Sequence, residues 1–355
     1  MAKEYKDLIV GLDIGTSKIM AVVAEMQAGT GIRVLGMGVA PSTGMKRGVV
    51  VNIEACVQSI QQAVREAEMM AACKITRVIT GITGSHIRGR NSVGMVAVRD
   101  REVSPSDVAK VLETARAINI STDQRPLLIE PQEFVIDGQE VKEPIGMSGL
   151  RLESKVHIVT CAQSAAENII KCVRRCGLEV DHLMLNPLAA SMATLTEDER
   201  ELGVVLVDIG AGTTDVAVFS GGAIRHTAVL PVAGGSITSD IAMAFRTPTD
   251  DAEDIKLQHG CAKQLLADPD ARIEVAGLSG RRQPPQLSKQ VLAGVIEPRV
   301  EEIFELVQKE VQKSGFEHLA SSGVVLTGGS AMMPGMVELG EDIFLKPVRI
   351  GMPQY

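Results

Sequence analysis

One strand–turn–strand pattern occurs twice in this 355-residue chain. Residues 7–16 and 202–215 each contain a β-branched apolar run that ends in Asp-Ile-Gly and is followed by small residues and a second apolar run. Continuous apolar runs of this length predict strands buried on both faces, and the short Gly-containing breaks predict tight turns. A third strand is predicted in each copy, at 32–39 and at 223–232. The chain is therefore expected to form two related α/β lobes.

Helices and modules complete the predicted organisation. A helix over 52–72, with Asn52 as its N-cap, precedes a strand at 77–82, and a helix over 164–176 precedes a strand at 180–185. The acidic run 197–201 is interpreted as a solvated hinge. The predicted division is a first lobe at 1–83, an inserted α+β subdomain at 84–162, the return of the first lobe and the hinge at 163–200, a second lobe at 201–232, a small subdomain at 233–312 and the end of the second lobe at 313–355.

The composition excludes several classes of protein. The net charge is −8 and aromatic residues make up 2% of the chain, so it lacks the basic excess and the stacking rings of a nucleic-acid-binding protein. No apolar run reaches the ~18 residues that a membrane-spanning helix needs. The six cysteines form no Cys-x-x-Cys pair, which indicates reduced cytosolic thiols rather than a disulfide framework or a zinc finger.

The residues that follow the repeated strands are suited to a nucleotide. Glycines let backbone N–H groups approach phosphate oxygens, and Lys18 adds a cation. Asp13 and Asp208 end equivalent strands, so they are expected to face each other across a cleft and to hold Mg²⁺ through its waters. The turn Thr327-Gly328-Gly329 can lie against an adenine ring. The hydroxyl donors predicted beside the phosphates are Thr16, Ser17, Thr213 and Thr214.

The alternative is that Asp-Ile-Gly merely ends a strand, and for a single copy that interpretation is favoured. Two copies in equivalent places, together with the later Gly-Gly turn, favour a nucleotide cleft. The dinucleotide fingerprint Gly-x-Gly-x-x-Gly and the P-loop pattern are both absent, which argues against Rossmann and P-loop sites.

These motifs resemble a known superfamily. The runs DIGTSK, VDIGAGTTD and VVLTGG, in that order, are similar to the two phosphate loops and the adenosine loop of the actin/Hsp70/sugar-kinase superfamily. Over nearly the whole chain, segments such as GLDIGTSK, GMSGLRLESKVHIVTC and LTEDERELGVVLVDIGAGTTD resemble the bacterial FtsA cell-division proteins. The resemblance implies an actin-like α/β fold, in which two ribonuclease-H-like lobes surround an ATP cleft and each lobe carries an inserted α+β subdomain.

The resemblance also implies a binding site for ATP and Mg²⁺. Glu253 and Lys256 match a helix that reaches ribose and adenine in the family, but a Glu/Lys pair at this spacing is often only a solvated helix pair. Gly234 and Gly235, which open the second module, are placed with the cofactor-binding residues. The first phosphate loop is matched by Asp13, Gly15, Thr16, Ser17 and Lys18, the second by Asp208, Gly210, Gly212, Thr213 and Thr214, and the adenosine loop by Gly328 and Gly329.

Asn186 departs from the pattern of the hydrolytic members of the superfamily. They often place Glu or Gln before the segment that matches residues 187–191, where it orients the attacking water. Asn is one methylene shorter and cannot act as a base near neutral pH. We therefore expect ATP binding with at most slow hydrolysis. The alternative is that Asn186 simply ends a strand.

The function that the resemblance implies is ATP-binding, actin-like scaffolding of the division ring. Such a protein tethers FtsZ filaments to the cytoplasmic face of the inner membrane at the septum. It also self-associates into filaments and contacts later septal proteins through the 84–162 insert. The FtsZ C-terminal tail would dock on the 233–312 subdomain, whose basic residues include Arg281, Arg282, Lys289 and Arg299.

The family pattern continues beyond Tyr355 with another first-lobe segment, a linker and an amphipathic membrane-binding helix. We expect a truncated sequence rather than a member that anchors differently. Two other functions stay open. One is a pilus-assembly adaptor that binds an inner-membrane peptide. The other is a sugar-kinase-like phosphotransferase, for which no persuasive catalytic carboxylate is found.

Overall fold

The computed structural model of the chain describes residues 8–27, 31–275 and 286–353. The N-terminal part forms β1 (Leu8–Ile14), β2 (Lys18–Gln27), β3 (Gly31–Pro41), β4 (Met45–Lys46), β5 (Val49–Val50), α1 (Ile53–Ala71) and β6 (Arg77–Ile82). Asn52 caps α1 as predicted, because its side chain accepts a hydrogen bond from the Ala55 N–H at 3.1 Å. The repeated apolar run and the first long helix therefore lie where the sequence pattern puts them.

The 84–162 insert is a small antiparallel sheet with one helix. Its elements are β7 (Arg88–Ala97), α2 (Pro105–Arg116), β8 (Gln124–Ile136), β9 (Gln139–Val141) and β10 (Arg151–Ala162), and its strand order is β7-β10-β8-β9. Ser104 and Asp107 form a capping box at the start of α2. Val111 of α2 packs in a small core with Ile136 and Leu152 of the sheet.

The chain then returns to the first lobe through α3 (Gln163–Arg175), β11 (Glu179–Leu185) and α4 (Asn186–Thr194). The first-lobe sheet has the order β11-β6-β1-β2-β3. Helix α1 lies directly on β3, where Gly38 leaves no room for a side chain. A Cβ at Gly38 would come within 1.9 Å of the Ala63 carbonyl oxygen.

The acidic run at 197–201, expected as a solvated hinge, forms a short helix, α5 (Glu197–Leu202). Thr196 and Glu199 form a capping box at its start, which explains why an acidic sequence is helical here. The Arg349 guanidinium contacts both carboxylate oxygens of Glu199 at 2.6 Å and donates to the Thr194 carbonyl at 2.8 Å. The segment between the lobes is therefore ordered by an ion pair.

The second lobe repeats the topology of the first. Its elements are β12 (Val204–Ile209), β13 (Thr214–Ser220), β14 (Ala223–Leu230), α6 (Gly234–Phe245), α7 (Thr249–His259), β15 (Arg272–Glu274), β16 (Gln286–Ser288), α8 (Lys289–Ser314), β17 (Val324–Thr327), α9 (Met336–Phe344) and β18 (Val348–Ile350). The sheet order is β14-β13-β12-β17-β18. Strands β3, β2, β1, β6 and β11 of the first sheet correspond in order to β14, β13, β12, β17 and β18 of the second. In each sheet the first three strands of this order pair antiparallel, and the last two join the sheet by parallel pairing. Among the described residues, no helix combines the length and apolar character needed to cross a membrane.

The insert also contacts the second lobe, at its edge strand β14. Gln132 Nε2 donates to the Ile224 carbonyl at 2.8 Å and to the Arg225 carbonyl at 3.2 Å, and Asn91 Nδ2 donates to the Arg225 carbonyl at 3.1 Å. An edge strand presents carbonyl groups that have no partner strand. Side-chain amides of the insert supply the missing donors, so the insert covers this edge.

A buried histidine completes the contact between the insert and β14. His157 lies between Asn91 Oδ1, at 2.6 Å from Nδ1, and Thr227 Oγ1, at 2.9 Å from Nε2. Burial, with a smaller contribution from His226, lowers the pKa of His157 to about 4. The ring is therefore neutral at physiological pH and serves as a hydrogen-bonding bridge between the insert and β14.

Replacement of Gln132 by Met should destabilise the protein by about 1–2 kcal/mol, because the nearly isosteric side chain leaves buried carbonyl groups of β14 without donors. Gln139→Met is the matched control, since Gln139 is exposed in β9. Urea unfolding followed by circular dichroism measures both variants. Equal midpoints for Gln132→Met and Gln139→Met would contradict the edge-covering role of the insert.

Candidate nucleotide-binding site

The two Asp-Ile-Gly turns have the same local geometry. The Gly15 N–H donates to the Lys18 carbonyl at 3.1 Å, and the Gly210 N–H donates to the Thr213 carbonyl at 3.0 Å. Each bond closes the turn between the first two strands of its lobe. A Cβ at Gly15 would lie 2.7 Å from the Lys18 carbonyl oxygen, so this turn excludes a side chain.

The turns from the two lobes touch each other. A Cβ at Gly212 would lie 2.4 Å from Thr16 Oγ1, across the boundary between the lobes. The same Thr16 hydroxyl accepts a hydrogen bond from the Gly48 N–H at 3.1 Å. The two predicted phosphate loops therefore lie against each other at the boundary between the lobes.

The start of α6 and the turn after β17 lie beside the second loop. The Gly234 N–H donates to the Gly210 carbonyl at 3.0 Å, and the Gly235 N–H donates to the Ala211 carbonyl at 2.8 Å. Ser330 Oγ also donates to the Gly210 carbonyl, at 3.0 Å. The predicted adenosine turn and the start of the small subdomain are therefore brought to the same loop.

Lys256 is buried rather than solvated. Its side chain is 6% exposed, and its Nζ donates to Glu253 Oε2 at 2.7 Å, to Thr238 Oγ1 at 2.9 Å and to the Gly234 carbonyl at 3.2 Å. These contacts can occupy all three donors of an ammonium group. Lys256 therefore holds Glu253 and the first turn of α6 in place. The alternative that Glu253 and Lys256 form only a solvated helix pair is wrong for Lys256.

Three carboxylates lie at the floor of the cleft. Burial, and secondarily the charge of Asp13, raises the pKa of Asp208 to about 6. Burial also raises the pKa of Asp13, although water reaches this side chain from the cleft and the Lys18 ammonium opposes the shift. Burial and the neighbouring Asp208 raise the pKa of Asp215 well above the usual range. Burial thus disfavours the charged forms of these three carboxyl groups, and the Lys18 ammonium opposes this effect at Asp13.

Asp215 joins the two lobes and was not among the predicted site residues. Thr83 Oγ1, at the end of β6, donates to Asp215 Oδ1 at 2.5 Å. Asp215 pairs with Asp208 in the register of β13 and β12. It lies in the quoted VDIGAGTTD run, so the motif contained a signal for it. The sequence around Thr83 contained no such signal, because the contact between Thr83 and Asp215 forms only where the two lobes meet.

Neighbouring carboxyl groups at Asp13 and Asp208 fit a divalent cation that arrives with phosphate. Within residues 8–27, 31–275 and 286–353, no group of three or more His, Cys, Asp or Glu side chains is arranged to hold a metal ion. A magnesium ion at Asp13 and Asp208 would therefore depend on waters and phosphate oxygens for the rest of its ligands, which is how Mg²⁺ usually binds beside nucleotides.

The remaining predicted residues have different surroundings. Ser17 and Lys18 are exposed at the first turn, and a Cβ at Gly329 would meet nothing within 4 Å. Thr214 is fully buried, and its hydroxyl donates to the Val232 carbonyl at 2.7 Å. Strand alternation turns Thr214 away from the cleft, so it shapes the loop from inside the lobe.

Asn186 is the first residue of α4, directly after β11. A Cβ at Gly81 of β6 would lie 2.2 Å from its Oδ1, so the amide lies over a glycine in the first-lobe sheet. Strand β6 separates β11 from β1, which carries Asp13. Asn186 therefore both follows the end of a strand and lies in the first lobe near the cleft.

Two duplicated lobes with facing Asp-Ile-Gly loops define an actin-like protein. The chain superimposes on a chain of the PilM–PilN type IV pilus biogenesis complex with a TM-score of 0.69, at 18% identity, over 96% of this chain and 87% of that one. It superimposes on MreB5 of Spiroplasma citri bound to ADP with a TM-score of 0.61, at 17% identity, over 98% of this chain and 92% of that one. The predicted actin-like fold is confirmed.

Sequence comparisons give the family. The family described as "SHS2 domain inserted in FTSA" matches residues 84–160, and "Cell division protein FtsA" matches residues 205–355. The cell division protein FtsA of Pseudomonas aeruginosa is 57% identical over 98% of this chain and 83% of the relative. That of Escherichia coli K12 is 45% identical over 98% of this chain and 84% of the relative. The chain belongs to the FtsA family of cell-division proteins.

Asp208→Asn should stabilise the nucleotide-free protein at pH 7 by roughly 1–2 kcal/mol. The pKa of Asp208 is higher in the folded state than in the unfolded state, so the charged carboxylate destabilises the folded protein at this pH. The gain should fade between pH 6 and pH 4, where the wild-type carboxyl takes up its proton in the folded state. Asp254→Asn, at an exposed position of α7, is the control. Urea unfolding at pH 7, 5 and 4 measures the difference, and a gain that grows as the pH falls would contradict the buried-charge account.

Proposed function

We propose that this member of the FtsA family is an ATP-binding, actin-like scaffold. It tethers FtsZ filaments to the cytoplasmic face of the membrane at the division site and helps to recruit later division proteins. The observation that carries ATP binding is the contact between Thr16 and Gly212, which brings two amide-rich loops and their carboxylates together. MreB5 of Spiroplasma citri, a neighbour in fold, has been solved with ADP and with AMPPNP. These ligands of a protein with the same fold support nucleotide binding in the equivalent cleft of this chain.

The chemistry of the residues around the cleft indicates which part of the nucleotide each of them would bind. Backbone N–H groups at 16–17 and 211–213 suit the phosphates, because those of Gly15 and Gly210 already close the turns. The start of α6 at Gly234 and Gly235 adds the positive end of a helix. Asp13 and Asp208 would hold Mg²⁺ through water, and the ion supplies positive charge against the phosphates. The turn at 328–330 and Glu253 suit the nucleoside.

ATP acts as a clamp in this proposal rather than as a rapidly consumed substrate. A ligand that contacts both loops favours the arrangement in which the lobes meet, by its difference in affinity for the two arrangements. Asn186 offers an amide, which cannot accept a proton as a general base does. We therefore expect at most slow hydrolysis, with self-association of the closed form into actin-like filaments.

Gly212→Ala should weaken Mg-ATP binding at least tenfold, because the added Cβ would lie 2.4 Å from Thr16 Oγ1 and force the loops apart. Gly11→Ala is the control, since a Cβ at Gly11 of β1 meets nothing within 4 Å. Isothermal titration calorimetry with Mg-ATP measures both variants. Equal affinities would contradict the proposal that the loops enclose the phosphates.

The FtsZ tail is proposed to bind across α6 and α8 of the 233–312 subdomain. Met243, 70% exposed, is one turn from Asp240, and Val295 is one turn from Arg299. The Arg299 guanidinium contacts Asp240 at 2.5 and 3.1 Å, so it joins the two helices and is not a free cation. The exposed Met243 and the partly buried Val295 thus each lie one turn from the ion pair that joins the two helices. Of the other predicted basic residues, Lys289 is half-buried at the start of α8, and Arg281 and Arg282 lie outside the described residues.

Met243→Asp should weaken binding of an FtsZ C-terminal tail peptide about tenfold, because a carboxylate would replace an exposed apolar contact. Met192→Asp, at a 60% exposed position of α4 in the first lobe, is the control. Fluorescence anisotropy with the labelled peptide measures both. If Met243→Asp binds the tail as the wild type does, the docking surface is wrong. If the wild type binds only an inner-membrane pilus peptide, the adaptor alternative replaces the FtsZ proposal.

A further inference from the structure

The hairpin of β4 and β5 places a basic residue in a demanding backbone conformation. Lys46 pairs with Val49 across the hairpin, and the two residues between them, Arg47 and Gly48, have φ angles of 49° and 75°. Positive φ at both central positions defines a type I′ turn, which favours Asn-Gly and Gly-Gly. Arg at the first of these positions is not explained by the turn itself.

This turn lies against both phosphate loops. The Gly48 N–H donates to Thr16 Oγ1 of the first loop at 3.1 Å. A Cβ at Gly212 of the second loop would lie 2.9 Å from the Arg47 Cα. On its other side, a Cβ at Gly48 would lie 3.1 Å from the backbone of Thr83, which bonds to Asp215. The turn therefore touches three parts of the cleft at once.

The side chain of Arg47 is exposed, and in the described part of the chain it has no hydrogen bond or ion pair. A guanidinium presents planar paired donors that match phosphate oxygens. In the described part of the chain, such a group lies beside both predicted phosphate loops with no protein partner. The neighbouring Lys46 is also exposed, whereas the contacts with the loops involve the backbone of Arg47 and Gly48.

The second loop shows which end of a nucleotide Arg47 would meet. Its residues Gly210 and Ala211 contact the start of α6 and Ser330, which lie on the nucleoside side. Its residue Gly212 instead contacts Thr16 and Arg47. Arg47 therefore lies at the end of the loop that is away from the adenosine elements, where the terminal phosphate belongs.

We propose that Arg47 binds the terminal phosphate of a nucleoside triphosphate and so makes the cleft distinguish a triphosphate from a diphosphate. This assignment rests on the proposed ATP binding in the same cleft. Arg47 is a specificity-determining residue here, because a diphosphate leaves its guanidinium without a partner. Because the backbone of the turn contacts both lobes, a phosphate held by Arg47 also fixes the turn between them.

The test compares Arg47→Asn with the wild type, using AMPPNP and ADP with Mg²⁺ in isothermal titration calorimetry. Asn is favoured in a type I′ turn, so this variant removes the charge and keeps the hairpin. We expect affinity for AMPPNP to fall about tenfold and affinity for ADP to change less than twofold. Lys46→Asn removes a cation from the same hairpin, and it should change the two affinities by similar small factors.

The outcomes separate the two proposals. Arg47 does not bind the terminal phosphate if Arg47→Asn keeps the wild-type ratio of AMPPNP to ADP affinity, or if the wild type binds both nucleotides equally. In either case the proposal of nucleotide binding is unaffected. If the wild type binds neither nucleotide, the proposed function fails and the assignment of Arg47 fails with it. A ratio that falls in Arg47→Asn and not in Lys46→Asn supports the assignment.

Discussion

The close approach of two glycine loops from different lobes is the constraint on which the rest of this structure depends. Side chains larger than hydrogen at Gly15 or Gly212 would meet backbone or hydroxyl atoms at 2.4–2.7 Å. The approach brings Asp13 close to Asp208 and Asp215. Burial raises the pKa of all three carboxyl groups, and repulsion from neighbouring carboxylates adds to the shift at Asp208 and Asp215. Charged carboxylates in such a floor are electrostatically unfavourable, and a magnesium ion that binds with the phosphate chain would offset their charge.

The duplicated topology explains why the cleft lies between the lobes. Each lobe ends its first strand in the same turn, so two equivalent lobes that face each other present two equivalent loops. The insert adds an asymmetry. It is continuous with the first lobe but supplies hydrogen-bond donors to β14 of the second, through Gln132 and Asn91. Hydrogen bonds depend steeply on geometry, so movement between the lobes would disturb the position of the insert.

Much of this architecture could be predicted from sequence, because local signals and duplication agree. The repeated strands, the Asn52 and Ser104 caps and the facing Asp-Ile-Gly turns all follow from spacing and residue type. Features that depend on distant contacts could not be predicted. The turn at Arg47 and Gly48 contains only two central residues, and its importance comes from Thr16 and Gly212. The acidic run became a helix because Thr196 caps it and Arg349, distant in sequence, binds Glu199.

The most direct test of the central claim is the fate of nucleotide in the cleft. Purified protein is incubated with a stoichiometric amount of Mg-ATP for several hours, separated from free nucleotide by rapid gel filtration, and its bound nucleotide is identified by chromatography. The account predicts about one bound nucleotide per chain, predominantly intact ATP, because the loops and carboxylates bind the phosphates while Asn186 provides no base. Protein without nucleotide would contradict the cleft as a binding site, and rapid conversion to ADP would contradict its role as a clamp.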